Sequence, residues 1–221
     1  MTLASTLIAD AGRQLNDSLQ ARWTEAKLIG YINIAASAVV GIDPSASSVI
    51  QDFPLTANIG EYNIPAGTIR FLGGIGNLGS DGSTPGRSIR NTDRQTKDTY
   101  SPDWRTIKAS TNTSAIKECI YDETMPGKFW VYPVPIATWH ISVELLETPA
   151  VIDANTDPLP LSADYDPAML SYVLYLAHNE NTSLANKQES QAQLGHFYNF
   201  LSAKTGRKFA YPAYNTKGAA K

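Results

Sequence analysis

Residues at helical spacing occupy both ends of this chain, while Gly, Pro, Asn and Asp cut the long middle into short segments. A chain patterned in this way builds helical ends around a β insertion, which is an α+β fold. At the N-terminal end, residues 2–17 read as a helix, with Thr2 as its cap and Leu3, Leu7, Ala11 and Leu15 on one stripe. A second helix follows Thr24, a cap by residue type, with Glu25 in the first turn where the helix dipole favours an anion. Leu28, Ile32, Ala35 and Val39 form its buried stripe, Trp23 and Leu28 suit a hydrophobic staple, and Gly41 and Pro44 stop it. Toward the C-terminus, Asp166-Pro167 suits a cap with proline in the first turn. Met169, Leu170, Val173, Leu174 and Ala177 then repeat at helical spacing, and a last helix carries Leu194, Phe197, Tyr198 and Leu201. These two helices are expected to form a hairpin.

From about Phe53 the segments GEYNIPAGTIRFLGG, WRTIKAS, IKECIYDE, GKFWVYPVP and TWHISVELLETPAVI read as strands. In HISVELLE, Ile141, Val143 and Leu145 share one face. In KFWVY, Phe129 and Val131 face one way and Trp130 and Tyr132 the other, between a Pro126-Gly127 turn and Pro133. The turn-rich stretch from Gly73 to Asp103 is expected to hold one or two irregular strands and an exposed loop. The expected division is a helical domain from 1–45 and 160–205, an inserted mainly antiparallel β domain at 46–159, and an extended tail at 206–221.

That tail has no helical or strand period, and no Asp or Glu follows Glu189. Arg207 and Lys208 precede Phe209, Tyr211 and Tyr214. Aromatic side chains are costly to leave in water, so the segment is expected to order on a partner.

Composition excludes several classes. Charged residues are 18% of the chain and the net charge is −3, whereas a nucleic-acid coat is usually basic. A low charge density suits a chain that buries surface against other chains. The one cysteine, Cys119, excludes an internal disulfide framework and a cysteine-rich zinc site. No basic segment followed by a long apolar core opens the chain, so no signal peptide is expected; no run of about 18 apolar residues occurs, so no membrane span is expected.

Motifs for chemistry are sparse. GIGNLG, Gly74 to Gly79, has G-x-G-x-x-G spacing, but SDGSTPG follows it and cannot open the helix that a pyrophosphate site needs. A glycine-rich loop is expected instead. DANTDPLPLSAD, Asp153 to Asp164, partly mimics a calcium loop, but Pro158 stands where the sharp turn needs glycine, so a crossover from sheet to helix is expected. His140, His178 and His196 are scattered without partners at ligand spacing, so no metal, cofactor or catalytic residue is assigned. The Trp130 and Tyr132 face remains as a possible partner surface, including one that stacks on sugars.

The order of several segments resembles one family. LNDSLQARWTEAKLIGYINIAASAVV is similar to the opening of the head-to-tail adaptor proteins of short-tailed bacteriophages, also called tail tubular protein A-like or gatekeeper proteins. GEYNIPAGTIRFLG, SPDWR and MPGKFWVYPVP follow in the family's order, and the segment from Leu159 to Leu201 resembles its closing helices. The resemblance covers about residues 10–205 and leaves the tail after Gly206 without a family pattern. It implies a virion neck protein without enzymatic activity, made in the host cytoplasm. Its copies, expected to number twelve, would form a ring beneath the portal that joins it to the tail nozzle and tail fibre proteins, with DNA passing unbound through the lumen during ejection. On this reading Arg207, Lys208, Phe209, Tyr211 and Tyr214 are the expected portal contacts, and Trp130 and Tyr132 the expected partner face of the β domain. The alternatives are a carbohydrate-binding or tail-fibre attachment module, or another neck ring such as a stopper.

Overall fold

The structure, a computed structural model, describes residues 2–110, 115–180 and 184–207. It divides into two compact units, Met1–Ser47 with Pro149–Lys221, and Ser48–Thr148.

The first unit holds α1 (Ala4–Gln14), α2 (Glu25–Ile42) and, after the second unit, α4 (Asp166–Asn179) and α5 (Leu184–Thr205). Helix α4 packs against α1, α2 and α5 and is the central helix. The stripes meet there: Leu7 and Ala11, Leu28, Ile32, Ala35 and Val39, Met169, Val173, Leu174 and Ala177, Phe197 and Leu201 are all buried. Helix α2, with 18 residues and a mean hydropathy of 1.3, has the length and composition of a membrane span by those two measures alone. Seven of its residues are buried in this helical packing.

Two capping expectations are corrected. Neither Thr2 nor Thr24 makes a side-chain cap bond: α1 is preceded by Leu3, and α2 by Thr24 with its hydroxyl unused for capping. The first N–H groups of α1 go instead to main-chain oxygens of the crossover, Ala4 N to Asp157 O at 2.9 Å and Ser5 N to Asn155 O at 2.8 Å. The crossover thereby does what a side-chain cap would do, and residues 149–159, read from sequence as part of the β insertion, belong to the helical unit. Asp157 closes its own turn by accepting the N–H groups of Asp153 and Ala154. Asp166 is itself the first residue of α4, one position inside the cap expected for it.

The LND segment closes the α1–α2 connection. The Asp17 carboxylate accepts the N–H groups of Ala21, Arg22 and Trp23, each at 2.9 Å. The bonds from Trp23 and Arg22 hold its pKa below the usual carboxylate value. At the other end of α2, the buried Asp43 accepts the Tyr165 hydroxyl at 2.7 Å and the Ser45 hydroxyl at 2.5 Å, tying α2 to the entry of α4.

The second unit contains two sheets. One is antiparallel, in the order β1 (Ser48–Leu55), β7 (Trp139–Glu147), β3 (Thr68–Gly79). The other runs β2 (Glu61–Asn63), β6 (Lys128–Tyr132), β5 (Glu118–Tyr121), β4 (Arg90–Asp93), with β4 parallel to β5 and the remaining pairs antiparallel. Residues from both sheets share one core, in which Phe129 stacks on Phe71 at 4.6 Å and meets Phe53 edge-on at 5.1 Å.

Three further expectations are corrected. Strand β1 begins before the change of texture at Phe53, and its Pro54 is tolerated because β1 is an edge strand. WRTIKAS forms no strand: Trp104 lies in a 3-10 turn, Pro102–Arg105, and only isolated pairing follows, as between Lys108 and Val134. The stretch from Gly73 to Asp103 holds most of the bulged β3, an exposed loop and β4, as read, but also a short helix that was not, α3 (Arg94–Tyr100), whose N-cap Asp93 accepts the Thr96 N–H at 2.9 Å.

GIGNLG is therefore strand, not loop. Its glycines allow close approach, since a Cβ on Gly74 would stand 2.5 Å from the Cys119 sulfur. Only at Gly79, with φ of +76°, does the chain enter a turn that favours glycine. Asn77, 2% exposed, is fully bonded. Its amide donates to the Arg87 and Ile116 carbonyls, and its oxygen accepts the Ile116 N–H and the Trp139 indole N–H.

Candidate interaction surfaces

The alternation read in KFWVY decides what the β unit offers. Phe129 and Val131 join the core between the sheets. Trp130 and Tyr132 lie on the opposite face with Ile120, and Trp104 covers them. Trp130 is 5% exposed and Trp104 1% exposed, so neither presents an open ring face. This corrects the sequence reading of Trp130 as part of a contact face; Tyr132 is half-buried. Stacking on a sugar needs an exposed ring, so the carbohydrate-binding alternative loses its main residue.

Over those rings lies a belt of cations, of which Arg94 and Arg105 are partly exposed and Lys97 is buried. The Arg94 guanidinium sits 5.9 Å from the Trp130 ring centre, Lys97 Nζ 3.8 Å from Tyr132, and the Arg105 guanidinium 4.4 Å from Trp104. Each cation has a carboxylate. Arg94 pairs with Asp122 at 2.7 Å, Arg105 with Asp98 at 2.7 Å, and Lys97 with Glu118 at 2.8 Å, while Arg90 also pairs with Glu118. The indoles donate to carboxylates as well, Trp104 to Asp98 of the belt and Trp130 to Glu61, which pairs with Lys128.

These pairs set the protonation states. Burial alone would raise the Glu118 carboxyl, but the bonds from Lys97 and Arg90 outweigh it and hold it below the usual value. Arg105, then the Trp104 indole, depress Asp98, and Lys128, then the Trp130 indole, depress Glu61. The belt is thus a charged lattice of both signs, from which Tyr100 projects at 85% exposure. Sequence reasoning missed this surface because it missed α3, although Asp93 three residues before Thr96 was a readable N-cap signal.

Of the residues expected to contact the portal, Arg207 is described and exposed; Lys208, Phe209, Tyr211 and Tyr214 lie outside the described residues. His140 pairs with Asp52 at 2.8 Å, and among the described residues no group of three or more His, Cys, Asp and Glu side chains is placed to hold a metal ion. The Cys119 thiol is buried and pushed up to about 12, far from a reactive thiolate.

A family model described as SU10 adaptor protein matches residues 1–214. The chain belongs to the SU10 adaptor protein family. This is a family of phage head-to-tail adaptors, so the chain is a structural adaptor of a bacteriophage virion, with portal and tail components as the class of its partners. The match extends through Tyr214, past the residues 10–205 that carry the resemblance. No curated protein matches the adaptor.

Proposed function

We propose that this adaptor forms a ring beneath the portal and joins it to the tail nozzle and fibres, leaving DNA to pass through the lumen without specific binding. Membership of the adaptor family over residues 1–214 carries the reading. A ring repeats one heterologous contact until it closes, which demands two different faces on each copy. The cation belt of the β unit supplies chemistry for such a face, because paired charges at a rim set register and partner choice more than raw affinity. The net charge of −3 favours sliding of DNA over adhesion. The role is structural and requires no catalysis. The aromatic, acid-free tail after Gly206 is the proposed portal contact, through Arg207, Lys208, Phe209, Tyr211 and Tyr214.

The test is sedimentation with portal rings of the same phage, comparing the full chain with one ending at Gly206. The proposal expects the shortened chain to lose most of its comigration while its circular dichroism stays unchanged. Equal comigration of the two removes the tail from the contact.

A further inference from the structure

We propose that the cavity between β4 and α3 is a binding site for a carboxylate side chain, Asp or Glu, of a partner protein. Residues two apart share a face of a strand, and residues four apart share a face of a helix. Arg90 and Thr92 on β4, and Thr96 and Tyr100 on α3, are such pairs, and they line one open cavity of about 420 Å³. Lys97 and Glu118 are its buried lining. The cavity therefore holds two cations and one carboxylate. Glu118 is fully used: Oε1 accepts from Arg90, and Oε2 accepts from Lys97 Nζ at 2.8 Å and, more distantly, from the Thr92 hydroxyl at 3.4 Å. Lys97 and Glu118 lie together where charges are screened least, so they neutralise each other. Arg90 is then the surplus cation. Its side chain is 73% exposed, and only its Nη2 has a partner among the described residues.

Three hydroxyls that line the same cavity, those of Thr96, Tyr100 and Ser101, donate to no group among the described residues. Free donors around one surplus positive charge suit an anion, and with both oxygens of Glu118 taken no acceptor is left for a further cation. The chemistry selects a carboxylate. A monoanion neutralises a single surplus charge, whereas a phosphate dianion would set a second negative charge against Glu118. The guanidinium fork also matches the two oxygens of a carboxylate. Tyr100, 85% exposed, lines the cavity with Arg90, and Tyr and Arg are enriched where protein contacts gain most of their energy. A protein source is favoured over nucleic-acid phosphate by the net charge of −3. The inference rests on the reading of the belt as a partner face and names the group which that face receives.

Nuclear magnetic resonance titration of the full chain tests the site. The probe is the peptide acetyl-Gly-Glu-Gly-amide, with its Gln counterpart as control and inorganic phosphate as the rival anion, all at constant ionic strength. The Glu peptide should shift the Arg90 Nε–H signal and the main-chain signals of Thr96 to Ser101 together, with half-saturation at roughly 10–100 mM, the strength of one charged hydrogen bond. The Gln peptide should leave them in place. Arg90→Gln should weaken binding about tenfold or more, and Thr96→Val about twofold or more. Both side chains are exposed, and if the spectrum of Arg90→Gln shows the β unit disturbed, Thr96→Val decides. Equal shifts from the Gln peptide, binding that both variants retain in full, or phosphate that half-saturates below the Glu peptide overturns the proposal. No portal is present, so this result stands apart from the sedimentation that tests the ring reading.

Discussion

Asn77→Ala is the substitution whose cost the structure sets most fully. The side chain meets four groups, at 2.8 Å (Arg87 O), 2.9 Å (Ile116 O), 2.7 Å (Ile116 N) and 2.8 Å (Trp139 Nε1). The Arg87 carbonyl keeps a second donor, the Asn77 main-chain N–H at 3.0 Å. Truncation thus orphans three groups: both main-chain polar groups of Ile116, and the half-buried Trp139 indole. A buried unsatisfied group costs about 1–3 kcal/mol. Discounting the indole for its access to water gives about 3–5 kcal/mol. The whole margin of a domain is about 5–15 kcal/mol, so the β unit should lose much of its stability. For a unit of this size, about 4–8 °C per kcal/mol translates the loss into a fall in melting temperature of roughly 12–40 °C. Thermal unfolding followed by near-ultraviolet circular dichroism of the tryptophans reads this directly. Asn77→Asp should cost at least as much, because it turns an oxygen toward two carbonyls. A loss below about 1 kcal/mol for Asn77→Ala would refute the claim that this amide fastens the sheet.

Three other outcomes follow from the same unit. Glu118 has a depressed pKa, so the stability it contributes is present above its unfolded value and is lost as pH falls through the folded value. Glu118→Gln should therefore flatten the acid limb of a stability–pH curve below about pH 4.5, and should cost about 2–4 kcal/mol at neutral pH by leaving Lys97 unpaired. An acid limb as steep as in the parent contradicts this. Gly74→Ala drives a methyl into the Cys119 sulfur and should cost about 1–3 kcal/mol; Cys119→Ala in the same chain should recover part of it, and denaturant titration of both variants shows whether it does. Finally, Cys119 should resist iodoacetamide in the folded protein and react at the rate of global unfolding of the β unit. Rapid alkylation of the native chain, measured by mass, would contradict its burial.

Long periodic elements were legible in the sequence because their stripes are set by burial alone. Leu28, Ile32, Ala35 and Val39 are buried as read, and the alternation of Phe129 and Val131 against Trp130 and Tyr132 is present. What escaped depends on partners distant in sequence. The N-terminus of α1 is satisfied by carbonyls of the crossover, and nothing near Thr2 announces that. GIGNLG reads locally as a loop, yet it is a bulged strand in which Cys119 and Ile89 take the space that a side chain on Gly74 would fill. Helix α3 is too short for periodicity to show, and with it went the cation belt. Trp130 looked like a contact residue because an isolated strand cannot reveal that Trp104 will cover it.

The most direct test of the adaptor account is native mass measurement of portal rings mixed with the full chain. The account predicts a complex that gains about one chain per portal subunit, as a closed ring of equivalent contacts requires. A well-folded chain that leaves the portal mass unchanged would contradict it.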